Sequence, residues 1–303
     1  MHEELFLDRG LSLDRLKTFI EIVAAGSITA AAKGDANRQS QFSRQLKELE
    51  TFFGTELALR GRGQFELTRA GRQLNGLAQL HLAALKELRQ NCADQPIEMR
   101  IGAGESVIHW VLLPNLRKFG IAEPNTRLVL SNLRTEEIIE RIANGRLDVG
   151  VVRTDSVPKS LRAAKLFTLE YRVFLRNGLI SPQESNKPLN LFEKLSWAVL
   201  YDRHYVTLAL EEAAKALGVS LSVSVVCGSF TQVADAVRAV NVAAVVPSLA
   251  QSMLDTPTFD QLEFPFLKPL ARPMVLVWNP TLFAVRPAVS RAARIFGAIL
   301  RAS

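Results

Sequence analysis

The chain has 303 residues, 48% of them hydrophobic, and a formal net charge of +7. This length exceeds one ordinary domain, so we expect two or three units, and the basic balance favours an anionic partner. Cys92 and Cys227 fall in different predicted units without CxxC spacing, which excludes a disulfide framework and a CxxC metal site but leaves open a redox role for either thiol.

Two short helices are predicted at the start of the chain. Ser12 is a favourable N-cap, and apolar residues then recur at helical spacing over residues 16–23 until Gly26. Ser27 can cap a second helix, in which the small residues 31–32 let another helix cross closely. This spacing predicts a helix pair joined by a tight turn.

A third helix is predicted over about residues 38–53, ending at Gly54. Its apolar positions fall within one narrow arc. They are Phe42, Leu46, Leu49 and Phe53. This arc predicts that the third helix packs on the first two.

The opposite face of the third helix, and the segment after it, are polar and cationic. Ser43, Arg44 and Lys47 share a stripe that is expected to be free of acids, and such a face fits a major groove. Glycines and arginines at 60–63 suit a hairpin wing on the phosphates. A solvated helix face is the alternative, but the flanking elements favour DNA. The candidate DNA-binding residues are Arg38, Gln39, Ser40, Gln41, Ser43, Arg44, Lys47, Arg60, Arg62 and Thr68.

At this point the sequence resembles the LysR-type transcriptional regulators. The residues that carry the resemblance are Phe19, Gly26, Ser27, Ala31, Ala32, Gln39, Ser43, Arg44, Gln45, Leu46, Leu49, Glu50, Gly54, Glu56, Leu57, Arg60, Leu67, Thr68, Ala70 and Gly71. Three positions depart from the family pattern: Asp35 replaces a buried leucine, Asn37 an aliphatic residue and Ser40 a common proline. We expect a rearranged turn, with Asn37 capping the third helix and Asp35 bonding within the turn.

A long helix is predicted after the wing, from a cap at Thr68 to about Asn91. Its leucines fall near coiled-coil spacing, and such a stripe needs a partner, either its own domain or a second copy. The resemblance implies the linker helix of the family, which pairs with its copy to form a homodimer, or a homotetramer of two such pairs. The candidate dimerisation residues are Leu74, Leu77, His81, Leu85 and Leu88.

Beyond Pro96, strands alternate with helices, which is typical of an α/β domain. The predicted strands cover 99–102, 127–130, 148–152, 171–175, 197–200, 223–227, 242–246 and 274–278, and the helices cover 107–119, 135–144, 208–217, 229–239 and 287–300. Residues 112–114 and 144–151 also resemble family signatures. The resemblance implies two lobes hinged by crossing strands, in overall form like periplasmic binding proteins.

The predicted fold class is therefore α/β with an all-α N-terminal part. We expect a winged helix-turn-helix, a long linker helix and a two-lobed effector domain. The expected ranges are 1–67, 68–93 and 94–303, with lobe I at about 97–170 and 268–303 and lobe II at about 171–267.

A ligand site in such a fold lies in the cleft, at strand carboxyl ends and helix N-termini. Glu105 would disfavour an anionic effector unless Arg153 or Arg203 offsets it, so the charge of the effector stays open. Capping by the hydroxyls and packing by the rings are the alternative roles. The candidate effector-binding residues are Glu105, Ser106, Arg153, Tyr201, Arg203, Ser229, Phe230 and Thr231.

The sequence predicts a DNA-binding transcription regulator controlled by a small-molecule effector. HxxxH, HExxH, GxSxG and GxxxxGK patterns are absent, so we expect no catalytic residue, metal or cofactor. Double-stranded DNA, the effector, a second copy of the chain and RNA polymerase are the expected partners. The alternatives are an architectural DNA-binding protein without effector and, less favoured, an α/β enzyme with a DNA-binding appendage.

The sequence carries no sign of a membrane segment. No basic-then-apolar signal opens the chain, and the most apolar stretch, residues 233–247, is interrupted by Asp235, Arg238 and Asn241. We therefore expect a soluble, cytoplasmic protein without a membrane partner.

Overall fold

The computed structural model describes residues 10–60, 65–201, 204–255 and 257–302. Its N-terminal part contains three helices, α1 (Leu13–Ala25), α2 (Ile28–Ala32) and α3 (Ala36–Phe53). The predicted caps are confirmed: Ser12 Oγ accepts the N–H of Arg15 at 3.3 Å, and Ser27 Oγ accepts the N–H of Ala30 at 3.0 Å. Local hydrogen bonding therefore fixes where α1 and α2 begin.

The cap of α3 differs from the prediction. The carboxylate of Asp35 accepts the backbone N–H groups of Asn37 at 2.8 Å and Arg38 at 3.1 Å. The prediction that Asn37 caps this helix is wrong, because Asp35 already satisfies the free N–H groups and Asn37 lies inside the first turn. Phe53 also leaves the predicted apolar arc, since 39% of it is exposed at the end of α3.

A hairpin and a long helix follow α3. Strand β1 (Ala58–Arg60) pairs antiparallel with β2 (Phe65–Leu67), and the turn between them lies outside the described residues. Helix α4 (Arg69–Cys92) starts at Thr68, whose hydroxyl accepts the N–H of Gly71 at 3.0 Å. A Cβ on Gly71 would lie 1.9 Å from the carbonyl oxygen of Leu57, so glycine lets α4 approach the hairpin closely.

The rest of the chain alternates strands and helices. The strands are β3 (Ile97–Ala103), β4 (Thr126–Asn132), β5 (Val149–Arg153), β6 (Arg162–Leu169), β7 (Tyr171–Arg176), β8 (Trp197–Leu200), β9 (Val223–Cys227), β10 (Ala243–Pro247), β11 (Phe259–Leu262) and β12 (Arg272–Trp278). The helices are α5 (Glu105–Val107), α6 (Leu113–Ala122), α7 (Thr135–Ala143), α8 (Pro182–Ser185), α9 (Pro188–Lys194), α10 (Tyr205–Ala216), α11 (Phe230–Ala239), α12 (Pro280–Val285) and α13 (Pro287–Arg301).

These strands form two five-stranded sheets, each the centre of one lobe. Lobe I has the strand order β4-β3-β5-β12-β6, in which β4, β3 and β5 are parallel and β12 is antiparallel to β5. Lobe II has the order β11-β7-β10-β8-β9, in which β10, β8 and β9 are parallel. The chain passes between lobes at Glu170 and again between β11 and β12, so a cleft lies at one edge of both sheets.

Several features of the lobes differ from the sequence prediction, including the short helices α8, α9 and α12, which were not predicted. The helix predicted over 107–119 is interrupted by a π-helical turn, Ile108–Leu112, which puts Trp110 into the core of lobe II. Strands β6 and β11 were not predicted; both are edge strands with mixed polar and apolar residues, a pattern that periodicity alone does not separate from a loop.

Candidate nucleic-acid interface and interlobe cleft

The outward face of α3 lies on the surface of the three-helix unit. Ser43 is half-buried, and the remaining predicted residues of this face are exposed. They are Arg38, Gln39, Ser40, Gln41, Arg44 and Lys47. Because the apolar side of α3 is buried on α1 and α2, these polar side chains are presented together on one side of the unit.

An acid lies beside this face, contrary to the prediction. Glu48 Oε1 is 3.4 Å from Arg44 Nε, and its Oε2 is 2.5 Å from Arg15 Nε. The expectation of an acid-free stripe is wrong because Glu48 is one helical turn beyond Arg44 and borders the same surface. Glu48 orients Arg44, whose side chain is 77% exposed and therefore still accessible.

The remaining DNA-binding candidates have different surroundings. Arg60 ends β1 in the hairpin, whereas Arg62 lies outside the described residues. The hydroxyl of Thr68 donates to the carbonyl oxygen of Glu56 at 2.8 Å, in addition to capping α4. Thr68 therefore already has a structural role at the junction of hairpin and helix.

Most of the predicted dimerisation residues form an exposed stripe on α4. Leu77, Leu85 and Leu88 are 52%, 47% and 59% exposed, and His81 between them is exposed too. Leu74 differs, since it is half-buried against the three-helix core. Three large apolar side chains on one helix face thus remain uncovered within the described chain.

The other side of α4 is joined to lobe I by a buried ionic network. Arg286 Nε donates to Glu87 of α4 at 2.9 Å, and its Nη1 contacts Asp148. Arg286, Glu87 and Asp148 are 4%, 2% and 0% exposed. Asp148 also accepts from the guanidinium of Arg100 at 3.2 Å, so two arginines balance two carboxylates. Sequence reasoning missed this network because its members lie far apart in the chain.

A cleft of about 910 Å³ separates the two lobes. Most of the predicted effector-binding residues line it. They are Glu105, Ser106, Arg153, Tyr201, Ser229 and Phe230. Thr231 stands behind this lining, and Arg203 lies outside the described residues.

A side-chain hydrogen bond joins the lobes beside the cleft. The hydroxyl of Thr231, in the first turn of α11, donates to the carboxylate of Glu105, in the first turn of α5. Ser229 Oγ lies 2.9 Å from Thr231 Oγ1 and caps α11. Predicted residues from both lobes therefore meet, and Ser229 in addition has the capping role that was the alternative.

Lobe II contributes an aromatic wall, of which the sequence analysis predicted only Phe230. The rings of His204 and Tyr205 are in tilted contact with centroids 4.4 Å apart, and Phe230 meets His204 edge-on at 5.2 Å. Tyr171 lies 5.8 Å from Phe230, and its hydroxyl contacts that of Tyr205. Burial raises the pKa of Tyr171 above its usual range, so its phenol stays neutral. A signal was available, since His204 and Tyr205 come four and five residues after the end of the buried strand β8.

Lobe I contributes three arginines to the cleft. Arg153 Nε lies 3.6 Å from Asp155 Oδ1, and Arg272 stacks over the ring of Tyr205 with its Cζ 4.9 Å from the ring centroid. Arg134 immediately precedes α7 and lines the same cleft. The cleft thus combines charged groups on lobe I with rings on lobe II.

We expect acidification to destabilise lobe II through His204. Burial lowers the pKa of His204, and its Nδ1 accepts the N–H of Val206 at 3.3 Å. As the pH falls, the imidazole of His204 is protonated in the unfolded chain before it is protonated in the folded protein. The contribution of neutral His204 to stability is therefore present above about pH 6.5 and is lost as the pH falls through its lowered pKa. The urea concentration at the midpoint of unfolding should therefore decrease as the pH is lowered from about 8 to about 5. His204→Gln should reduce this pH dependence, whereas His81→Gln, at an exposed site, should leave it unchanged. An equal pH dependence in the wild type and both variants would contradict the role of His204.

Among the described residues, no helix has both the length and the apolar content that crossing a membrane requires. The same residues contain no cluster of three or more His, Cys, Asp or Glu side chains suited to a metal ion.

Comparison with solved structures supports the architecture. The chain is similar to a full-length OxyR variant from Pseudomonas aeruginosa, with a TM-score of 0.66 at 16% identity over 96% of this chain and 95% of that one. It is also similar to full-length CbnR in complex with its target DNA, with a TM-score of 0.52 at 19% identity over 93% of this chain and 100% of that one. At these identities the likeness concerns the fold.

Sequence comparison identifies the family. The Hca operon transcriptional activator HcaR of Escherichia coli is 30% identical over 146 residues, which are 47% of this chain and 49% of HcaR, so this chain spans about half the length of that relative. Residues 13–72 match the bacterial regulatory helix-turn-helix of the lysR family, and residues 97–300 match the LysR substrate binding domain. The second match alone covers more than half of the chain, and the protein therefore belongs to the LysR family of regulators.

Proposed function

We propose that this protein is a sequence-specific DNA-binding transcription regulator, not an enzyme, and that a small molecule in the interlobe cleft controls it. The observation that carries the proposal is the exposed face of α3, where Arg44 and Lys47 lie beside glutamine and serine side chains. Arginine donates two hydrogen bonds to guanine, and glutamine pairs with adenine, in the major groove. The hairpin after α3 supplies a second basic element for the phosphate backbone.

The proposed regulator acts as a homodimer. The exposed leucines of α4 would be covered by the same stripe of a second copy, which brings two α3 helices to two half-sites of one operator. Residues 13–72 of each copy then contact DNA, and residues 97–300 bind the effector. A homotetramer would add a second such pair.

In the proposed control step, the effector binds one arrangement of the lobes better than the other and shifts the balance between them. Two observations support the transmission of a lobe movement from the cleft to the DNA-binding unit. The cleft is lined by both lobes, and the Arg286 network ties lobe I to α4. Movement of lobe I would therefore move the helix that positions α3, and with it the contacts of DNA and RNA polymerase.

Selection of bound fragments from genomic DNA tests the proposed function. Purified full-length protein should enrich a few fragments that share two half-sites. Retention of all fragments alike, at moderate ionic strength, would contradict sequence-specific binding. The genes beside an enriched fragment would also indicate the pathway under control.

Arg44 and Arg62 are expected to affect DNA binding differently. On the selected operator, Arg44→Ala should weaken binding by about 1–3 kcal/mol and relax base preference, because arginine reads base edges. Arg62→Ala should weaken binding to specific and random DNA alike and lower the salt slope by about one, the effect expected for a phosphate contact. Titrations of operator and random duplexes at several salt concentrations measure both effects. Equal loss on both duplexes for Arg44→Ala would remove it from the specificity residues.

A further inference from the structure

Charged groups stand side by side along one edge of the lobe I sheet. Glu105 follows β3, Arg134 follows its neighbour β4, and Arg153 ends β5 on the other side. Arg272 begins β12, which is antiparallel to β5, so it reaches the same edge. Adjacent strands lie about 4.8 Å apart. The edge therefore presents charges in the order plus, minus, plus, plus, with one carboxylate between arginines.

The carboxylate of Glu105 is incompletely paired. One of its oxygens accepts the hydroxyl of Thr231, and the other has no hydrogen-bond or ion-pair partner within the part of the chain that the structure describes. Glu105 is half-buried and lines the cleft. An ionised carboxylate offers about four acceptor positions, so the free oxygen is suited to a donor from a ligand.

The arginines beside Glu105 are suited to an anionic group. Within the described residues, the side chain of Arg134 makes no hydrogen bond or ion pair. Arg153 has two long contacts, 3.6 Å to Asp155, whose side chain is 71% exposed, and 3.5 Å to the hydroxyl of Ser156. An incompletely paired carboxylate and an unpaired guanidinium therefore lie at adjacent strand ends, and both line the cleft opposite the aromatic wall of lobe II.

We propose that the cleft binds an α-amino acid, with its ammonium group on Glu105, its carboxylate on Arg134 or Arg153, and its side chain against the rings of lobe II. This inference rests on the proposed function and names the chemical class of its effector. A carboxylic acid without an amine would leave the charge of Glu105 uncompensated, whereas an amine without a carboxylate would leave the flanking arginines unneutralised. The aromatic wall favours amino acids with apolar or aromatic side chains.

Binding of matched ligands to the full-length protein tests this inference. The probes are the standard amino acids at up to about 10 mM, with 3-phenylpropanoate and 2-phenylethylamine as analogues of L-phenylalanine that lack one charged group each. We expect thermal stabilisation and calorimetric binding by at least one apolar or aromatic amino acid. Its analogue without the amine should bind about 10–100-fold more weakly, the loss expected for one charge-assisted hydrogen bond.

Glu105→Gln supplies the decisive variant. Its amide oxygen still accepts the hydroxyl of Thr231, so the lobes stay joined while the negative charge is removed. Discrimination between the amino acid and its amine-free analogue should fall by about tenfold or more. The matched control is Glu140→Gln, an exposed acid on α7 outside the cleft lining, which should leave discrimination unchanged.

Three results would overturn the inference: no amino acid binds, the amine-free analogue binds as tightly as the amino acid, or Glu105→Gln discriminates as well as the wild type. These results are separable from failure of the proposed function. A protein that selects an operator but binds no amino acid has another effector class. A protein that binds an amino acid but selects no operator keeps this ligand assignment and loses the proposed regulatory role.

Discussion

Replacing Arg286 with alanine is expected to lower the free energy of unfolding by about 3–5 kcal/mol, the loss typical of breaking a buried ionic network. Arg286 is only 4% exposed and donates to Glu87 at 2.9 Å and to the carbonyl oxygen of Glu98 at 3.0 Å. It also contacts Asp148. Without it, the carboxylate of Glu87 stays buried beside lobe I, with the N–H of Ala288 as its remaining donor.

Urea unfolding at fixed protein concentration measures this loss. Arg141→Ala is the matched control, because its pair with Glu137 has similar distance, 2.6 Å, but both side chains are about 40% exposed. That control should change stability by less than about 0.5 kcal/mol. If both substitutions cost the same small amount, the Arg286 network does not hold α4 on lobe I.

Leu85→Glu combined with Leu88→Glu is expected to convert the proposed dimer into a monomer and to weaken operator binding by about 100-fold or more, because two linked DNA-binding units bind far more tightly than one. Both leucines are exposed in the single chain, at 47% and 59%. Glutamate is a good helix former, so α4 should persist in the variant. A paired interface, in contrast, would have to bury four carboxylates.

Sedimentation velocity and operator titration measure the two effects of the double substitution. Leu217→Glu is the control, since Leu217 is also an exposed leucine at a helix end, 43% accessible, but lies in lobe II. It should leave mass and DNA affinity unchanged. A double variant that stays dimeric would place the subunit interface elsewhere.

The N-terminal unit was largely predictable because its signals are local. Ser12 and Ser27 bond to N–H groups three residues ahead, and the apolar faces of α1 and α3 repeat at helical spacing. The exception is the cap of α3, where Asp35 rather than Asn37 accepts the free N–H groups; this choice, too, depends on neighbouring residues. Most of the strands were predicted as well, whereas the edge strands β6 and β11 were not, because strand pairing there depends on a neighbour rather than on alternation.

The candidate site was predictable only in outline. Placing residues at strand carboxyl ends brought Glu105, Arg153 and Ser229 to the cleft, and the same rule covers Arg134, which was overlooked, but it does not cover Tyr171 or Arg272. Tyr171 and Arg272 lie at the beginnings of antiparallel strands, so the topology of the sheets brings them to the cleft.

By itself the sequence determined α1, α2 and α4 with their caps, the basic face of α3 and the leucine stripe of α4, because each depends on residues within a few positions of one another. Only the tertiary structure decided which charges meet. Glu105 bonds to Thr231 across 126 residues, and Glu87 bonds to Arg286 across 199. No periodicity connects such positions, since their contact follows from the packing of whole lobes and helices.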